Sequence, residues 1–445
     1  MTIGRQRAHP SPASPARPEP GSFGAFVNAA QQAGDLVVQP RMGVADPARM
    51  RAGLVATKRA AATTVGTITV DSFTRLGDHA EARRALAKGV ELNGYPIVTH
   101  GPDVTRAMLD GVAGADFPVQ VRHGSSQPED IFRTLLRSGL SATEGGPVSY
   151  CLPYSRSPLR ESVDSWARCV QWFASLEDLG VTPHLETFGG CLLGQLCPPS
   201  LLIATSVLEA MFLRQHGLRS ISLSYAQQTN AAQDEEALMV LRRIATEVLR
   251  DIDWHVVVYT YMGMYPRSPA GSALLLAEAA KLAVRTGSAR LIVKTVAEAY
   301  RIPTIAENVT ALEWAAKAAL DEESIAAGTT PDTGIYAEAR ALIDTVLELD
   351  PDIGRALVIA FASGLLDVPF CLHPDNRGEA RSYVDTDGWL RWSLVGAMPI
   401  EHIAQPSGRE HSSSADLLAS LSYVARKFGQ AAVAGPLSRQ PPTAP

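Results

Sequence analysis

The sequence predicts an α/β fold: a (β/α)8 TIM-type barrel with an additional C-terminal helical region. Three observations predict it. Short apolar runs recur along the first 320 residues, and longer stretches of helical periodicity lie between them. The runs are apolar nearly throughout, as parallel strands covered on both faces are. Polar and charged residues gather at the carboxyl ends of the runs, where parallel α/β folds build their ligand sites. A doubly wound open sheet is the alternative reading of the same pattern.

Taken in order, residues 1–20 carry prolines at 10, 12, 15, 18 and 20 among Ser, Ala and Arg, a composition expected to be disordered. The expected barrel spans 21–320. Its β-like runs are Leu36–Gln39, Thr63–Val70, Tyr95–Val98, Pro118–Val121 and the run before Glu144. Then follow Pro183–Glu186, Ser220–Tyr225, His255–Tyr261 and Arg290–Val293, which makes nine candidates for the eight places of a barrel. One is accessory, and the pattern does not say which. Helices are expected between them. Ala80–Ala87 has its charges on one side, and Ser162–Leu179 sets Trp166, Val170 and Phe173 on one face. In 321–432, helical stretches Tyr336–Glu348 and Ala415–Phe428 surround the loop Pro369–Asn376 and read as an appendage, a lid or dimer surface. Residues 433–445 read as a second disordered tail.

Composition narrows the function classes. With 46% hydrophobic residues the 445-residue chain has ample core, and its net charge of -6 argues against nucleic acid as the main partner. No run approaches the roughly 20 apolar residues of a membrane helix. The basic N-terminus has no apolar segment behind it, unlike a secretory signal. The five cysteines (Cys151, Cys169, Cys191, Cys197, Cys371) show no metal-type pair spacing. Free thiols in a reducing, cytoplasmic compartment are expected.

The chemistry centres on Thr143–Tyr154, where an acid (Glu144), a Gly pair and two tyrosines four residues apart, Tyr150 and Tyr154, share a proline-stiffened loop. Three other runs end alike: Arg41, Arg75 and Arg122 each follow apolar residues, with Gly two positions on. Guanidiniums converging at one barrel mouth need an anion, and their fork matches carboxylate or phosphate; the other reading is that each arginine pairs with a nearby Asp or Glu of the scaffold. No glycine-rich phosphate loop is present, so carboxylate is preferred. Three arginines with Glu144 complement an amino dicarboxylic acid. Lys294 and Glu298 stand four apart after the run ending at Val293; spacing alone reads them as an ordinary surface pair. His100 or His123 with Glu186 offers acid–base chemistry for a lyase or aldolase, and a catalytically silent amino-acid-binding subunit is a further alternative. No histidine pair has metal-ligand spacing, so no metal is expected.

At this point the motifs are recognisable. VQPRMG, VGTITVDSFTR, NGYPIVTHG, FPVQVRHG, TEGGPVSYCLPY, LETFG, LCPPS, SYAQQ and LIVKTVAEA followed by IPTIAEN occur in order from about Leu36 to Asn376. The chain resembles the large (epsilon) subunit of the glutamate mutase, or methylaspartate mutase, family. The resemblance implies a (β/α)8 barrel and an adenosylcobalamin-dependent radical isomerisation between L-glutamate and (2S,3S)-3-methylaspartate. It implies an arginine claw at Arg41, Arg75 and Arg122, contacts to the amino acid from Glu144, Tyr150 and Tyr154, and adenosyl-ribose contacts from Lys294 and Glu298. Gly43 and Phe188 match cavity-lining positions that it assigns to the cofactor side. It also implies a separate small cobalamin-binding (sigma) subunit and a two-plus-two assembly around a homodimer of this chain. The cobalamin motif D-x-H-x-x-G is absent: Asp253-Trp254-His255 runs on into Val256-Val257-Val258.

Overall fold

Eight of the apolar runs form strands. They are β1 (Val37–Pro40), β2 (Gly66–Thr69), β3 (Val119–Arg122), β4 (Ala142–Glu144), β5 (His184–Glu186), β6 (Ser220–Ala226), β7 (Asp253–Tyr259) and β8 (Arg290–Val293). The computed structural model in which they are seen describes residues 22–320, 322–324, 331–407 and 413–434. The strands run parallel in the order β1-β8-β7-β6-β5-β4-β3-β2. Its two end strands meet through one parallel bridge, Val38 to Thr64, with the Val38 N–H donating to the Thr63 carbonyl at 2.9 Å. That bridge brings the sheet round into a nearly closed barrel.

The ninth candidate, Tyr95–Val98, is the accessory one. Tyr95 makes a single bridge to Val70, Pro96 has no N–H to extend it, and a helix starts at Ile97. Helices cover the barrel between strands, several opened by side-chain caps such as Asp46, Asn230 and Ser268. Helix Pro199–Gln215 is buried on nearly every side. Its outer face is covered by helices Ile335–Leu347 and Ile353–Ser363, whose Leu342, Ile343, Leu357 and Phe361 join the same hydrophobic core as the barrel. The C-terminal region therefore braces the barrel. It also holds an antiparallel pair, β9 (Arg381–Val384) and β10 (Leu390–Leu394). The expected helix Ala415–Phe428 is two helices, Ser414–Leu421 and Tyr423–Ala434, divided at Ser422, whose hydroxyl donates back to the Leu418 carbonyl. The tail expected at 1–20 lies outside the described residues. So does the one expected at 433–445, except that Val433 and Ala434 end the last helix.

At the amino-terminal end of the strands, helix Phe23–Gln32 packs across the floor. Phe23 stacks on His184 at 5.1 Å, and the Arg290 guanidinium lies 5.0 Å from the Phe23 ring centroid. Above that floor the barrel interior is polar. Arg290 pairs with Glu186, both fully buried, and donates to Gln39; Gln39 in turn donates to Gln120 at 2.8 Å and to Thr67 at 2.9 Å. Among the described residues no helix is long and apolar enough to cross a membrane.

Candidate active site

The upper end of this polar interior opens into a cavity of about 290 Å³. Its lining includes Arg41, Arg75, Arg122, Glu144, Tyr150, Tyr154 and Phe188, so the three arginines do reach one space. Each arrives differently. Arg122 is the last residue of β3 and is buried. Arg41 follows β1 and keeps about a third of its side chain exposed (32%). Arg75 does not end a strand as its pattern suggested. It sits on a short helix, Ser72–Leu76, capped by the Asp71 carboxylate and ended by Gly77.

Glu144, the last residue of β4, is bonded by three side chains of the site. Its Oε2 accepts from Arg122 Nε at 2.6 Å and lies 2.8 Å from the Tyr259 hydroxyl, while Oε1 accepts from the Tyr150 hydroxyl. The scaffold-type pairing between an arginine and a nearby acid thus exists at Arg122. It uses only Nε, with Nη2 at 3.3 Å from the Tyr259 hydroxyl; Nη1 is buried without a hydrogen-bond partner among the described residues. Arg75 Nε is in the same condition. Burial, then the charge of Glu144, pushes the Tyr150 phenol well above its ordinary pKa, so it stays a donor.

The loop after Glu144 is shaped by its two glycines. Gly145 has φ +123°, and a Cβ there would overlap the Tyr150 ring. A Cβ on Gly146 would overlap the carboxyl group of Glu209. That carboxyl, buried on helix Pro199–Gln215, accepts from the N–H groups of Val148 (3.2 Å), Ser149 (2.8 Å) and Phe188 (3.3 Å). It also accepts from the Ser149 hydroxyl at 3.0 Å. Burial raises its pKa in spite of these donors. One acid therefore fixes both the Tyr150 loop and Phe188, whose ring packs 5.0 Å from Tyr150 and 5.5 Å from Tyr259.

Lys294 follows β8 and is buried beside the Tyr265 ring, 4.8 Å away. Burial and the Arg41 charge lower its pKa to about 8, and Glu298 only partly offsets them. Glu298 lies 3.7 Å from Lys294 Nζ and 3.8 Å from Arg41 Nη1. The surface-pair reading fails here, because the lysine is buried. Gly43 lies outside the 290 Å³ cavity. It borders a neighbouring groove of about 610 Å³ that shares Arg41 and Asn93 with it, and a Cβ on Gly43 would strike the Thr69 carbonyl. Tyr154 stands at the outer rim, 39% exposed. There the mouth widens to about 840 Å³ and is bordered by Phe370–His373 of the C-terminal loop. Cys371 and His373 fasten that loop to the carbonyls of Leu152 (3.4 Å) and Ser157 (3.0 Å).

The acid–base set proposed for a lyase does not assemble. His100 bonds the Ala45 carbonyl at 2.8 Å and is not among the cavity-lining residues, and Glu186 is spent on Arg290 and Tyr259. His123 does line the cavity, but burial lowers its pKa to about 3 and its Nδ1 accepts from the Ser125 N–H. Among the described residues no group of His, Cys, Asp and Glu is arranged to hold a metal, and no cysteine is in a disulfide. Two participants escaped sequence reasoning. Tyr259 was hidden because β7 ends two residues before the expected Tyr261, and Glu209 lies mid-helix with no local signal.

Comparison with known proteins gives a consistent result. "Glutamate mutase epsilon subunit" of Halobacterium salinarum is 33% identical over 345 residues, covering 75% of this chain and 72% of its own length. The protein of the same name from Escherichia coli O157:H7 is 30% identical over 349 residues, with 75% and 72% covered. A putative phosphonomutase from Burkholderia cenocepacia J2315 aligns over 60% of this chain and 90% of its own at 17% identity. Its TM-score of 0.33 is too low to bear on fold or function. The family model described as methylaspartate mutase E chain matches residues 17–413, and the chain belongs to that family.

Proposed function

We propose that this chain is the catalytic subunit of a carbon-skeleton isomerase that interconverts L-glutamate and (2S,3S)-3-methylaspartate. The observation that carries the reading is the cavity, where Arg41, Arg75 and Arg122 meet Glu144, Tyr150 and Tyr154 in one space. Guanidinium groups suit two carboxylates, and a buried carboxylate suits one ammonium. In this reading Arg122 presents its unpartnered Nη1 to a substrate carboxylate, with Arg75 and Arg41 taking the rest. Glu144 accepts a hydrogen bond from the substrate ammonium and takes its proton as the skeleton rearranges. Tyr150 and Phe188 wall the reacting carbons from water.

The residues also fit adenosylcobalamin beside the substrate. Lys294, half-paired and buried, and Glu298, within reach of Arg41, supply a donor and an acceptor for ribose hydroxyls, and the groove beside Gly43 adjoins the substrate cavity. When bound, the cofactor supplies the hydrogen-atom abstraction that opens the rearrangement. The cobalt-binding function falls to a separate small (sigma) subunit. The only histidine near the D-x-H pattern, His255, is buried in the barrel floor, stacked on His184 at 5.1 Å. We take residues 21–320 as the catalytic barrel and 321–432 as its brace and rim, in a cytoplasmic two-plus-two assembly around a homodimer of this chain.

The test is reconstitution. The chain mixed with a small cobalamin-binding subunit, adenosylcobalamin and L-glutamate should give a cobalt(II)-coupled radical by EPR and 3-methylaspartate as product. Isomerisation by the chain alone, without corrinoid, would refute the two-subunit reading.

A further inference from the structure

The hydroxyl of Tyr259 stands between two carboxylates. It lies 2.8 Å from Glu144 Oε2 and in hydrogen-bond contact with Glu186 Oε1, with Arg122 Nη2 at 3.3 Å. A phenol has one proton to give, so only one carboxylate receives it at a time. Neither is stranded when the other does. Glu144 keeps Tyr150 and Arg122; Glu186 keeps Arg290, Gln120 Nε2 at 3.3 Å and Ser222 Oγ at 3.4 Å. The other titratable group facing Tyr259 is Cys191, whose thiol burial holds protonated, and His123, edge-on to Tyr150 at 5.3 Å, is neutral. Burial pushes the Tyr259 phenol well above its ordinary pKa, and Arg122 does not reverse that, so Tyr259 remains a donor.

We propose that Tyr259 is a positioning residue for Glu144, donating to it when it is ionised and turning to Glu186 when it has taken a proton. The inference rests on Glu144 being the acceptor for the substrate ammonium. In that step an N–H bond breaks, its electron pair stays on nitrogen, and an oxygen lone pair of Glu144 forms the new O–H bond. Tyr259 gives up no proton; it changes acceptor, and its oxygen then receives the Glu144 O–H. A buried carboxylate that changes charge otherwise leaves a donor or an acceptor unsatisfied in one of its states. The second carboxylate beneath Tyr259 gives the phenol an acceptor in the state where Glu144 no longer offers one.

The experiment compares Tyr259→Phe, Glu144→Gln and the double variant. L-Glutamate binding to the chain alone is titrated against pH, kcat is measured after reconstitution with the cobalamin-binding subunit, and Tm is recorded. Tyr259→Phe removes a donor to the charged carboxylate, so the acid limb of both binding and kcat should move to higher pH. Its kcat should fall roughly tenfold, and the double variant should be no slower than Glu144→Gln. An unmoved acid limb, or losses that add in the double variant, would overturn the proposal. If Tyr259→Phe does not fold, Glu186→Gln replaces it. Its amide can donate to the Tyr259 oxygen and commit the phenol proton to Glu144, so its acid limb should move to lower pH; no movement again overturns the proposal. Wild-type binding and kcat in Glu144→Gln would instead remove the reading on which the inference rests.

Discussion

Arg122 and Glu144 are a buried ion pair before any ligand arrives, which sets what each can do for one. A carboxylate already holding Arg122, Tyr150 and Tyr259 loses little of its order when an ammonium approaches, and an arginine bonded through Nε is held with Nη1 unspent. Arg122→Lys keeps a charge and loses the fork; kcat/KM should fall about ten- to a hundredfold, measured by steady-state kinetics after reconstitution. Lys294 gives a separate test. Its folded pKa of about 8 lies below the ordinary lysine value, so the unfolded chain binds its proton more tightly. That charge therefore costs stability below about pH 8, and the cost is relieved as pH rises toward the ordinary lysine range. The Tm of wild type relative to Lys294→Met should climb over that interval; a flat difference would show that burial does not strain this lysine. These residues were legible because charged side chains at strand ends stand out against apolar runs. Tyr259 and Glu209 were not, since an aromatic at the end of an apolar strand and one acid in an apolar helix read as core and surface until the fold brings them to Glu144 and its loop.

At the scale of elements, the loop from Gly145 to Tyr150 depends on helix Pro199–Gln215. The two glycines let the backbone pass under Trp166 and against Glu209, whose carboxyl gathers three backbone N–H groups from two loops. Gly146→Ala pushes a methyl into that carboxyl. Overpacking of this kind costs about 1–3 kcal/mol, and because the displaced acid also holds Phe188, kcat should fall with stability. Thermal unfolding and turnover of Gly146→Ala together check this; lost stability with wild-type turnover would separate the loop from the chemistry. The strand ends themselves were readable to within a few residues. Arg75 was not, because Asp71 starts a short helix at once, and the pattern Arg-x-Gly looks the same on a helix end as after a strand. The same limit left Tyr95–Val98 undecided, until Pro96 was seen to stop it after one bridge.

For the molecule as a whole, the barrel interior is a ladder of charge from Arg290 through Glu186 and Tyr259 to Glu144 and Arg122, ending at the cavity. Floor and mouth are thereby one network, and the C-terminal loop Phe370–His373 completes the rim. The alternation of runs and helices carried the barrel in the sequence. The brace on helix Pro199–Gln215 did not show there, because an all-round apolar helix says only that something covers it. The central claim is that this cavity holds one amino dicarboxylic acid by both acids and by its ammonium. Calorimetric titration of L-glutamate, L-glutamine and glutarate into the chain tests it most directly. L-Glutamate should bind at least roughly tenfold more tightly than L-glutamine, which lacks a carboxylate, and than glutarate, which lacks the ammonium. Equal affinity for all three would contradict it.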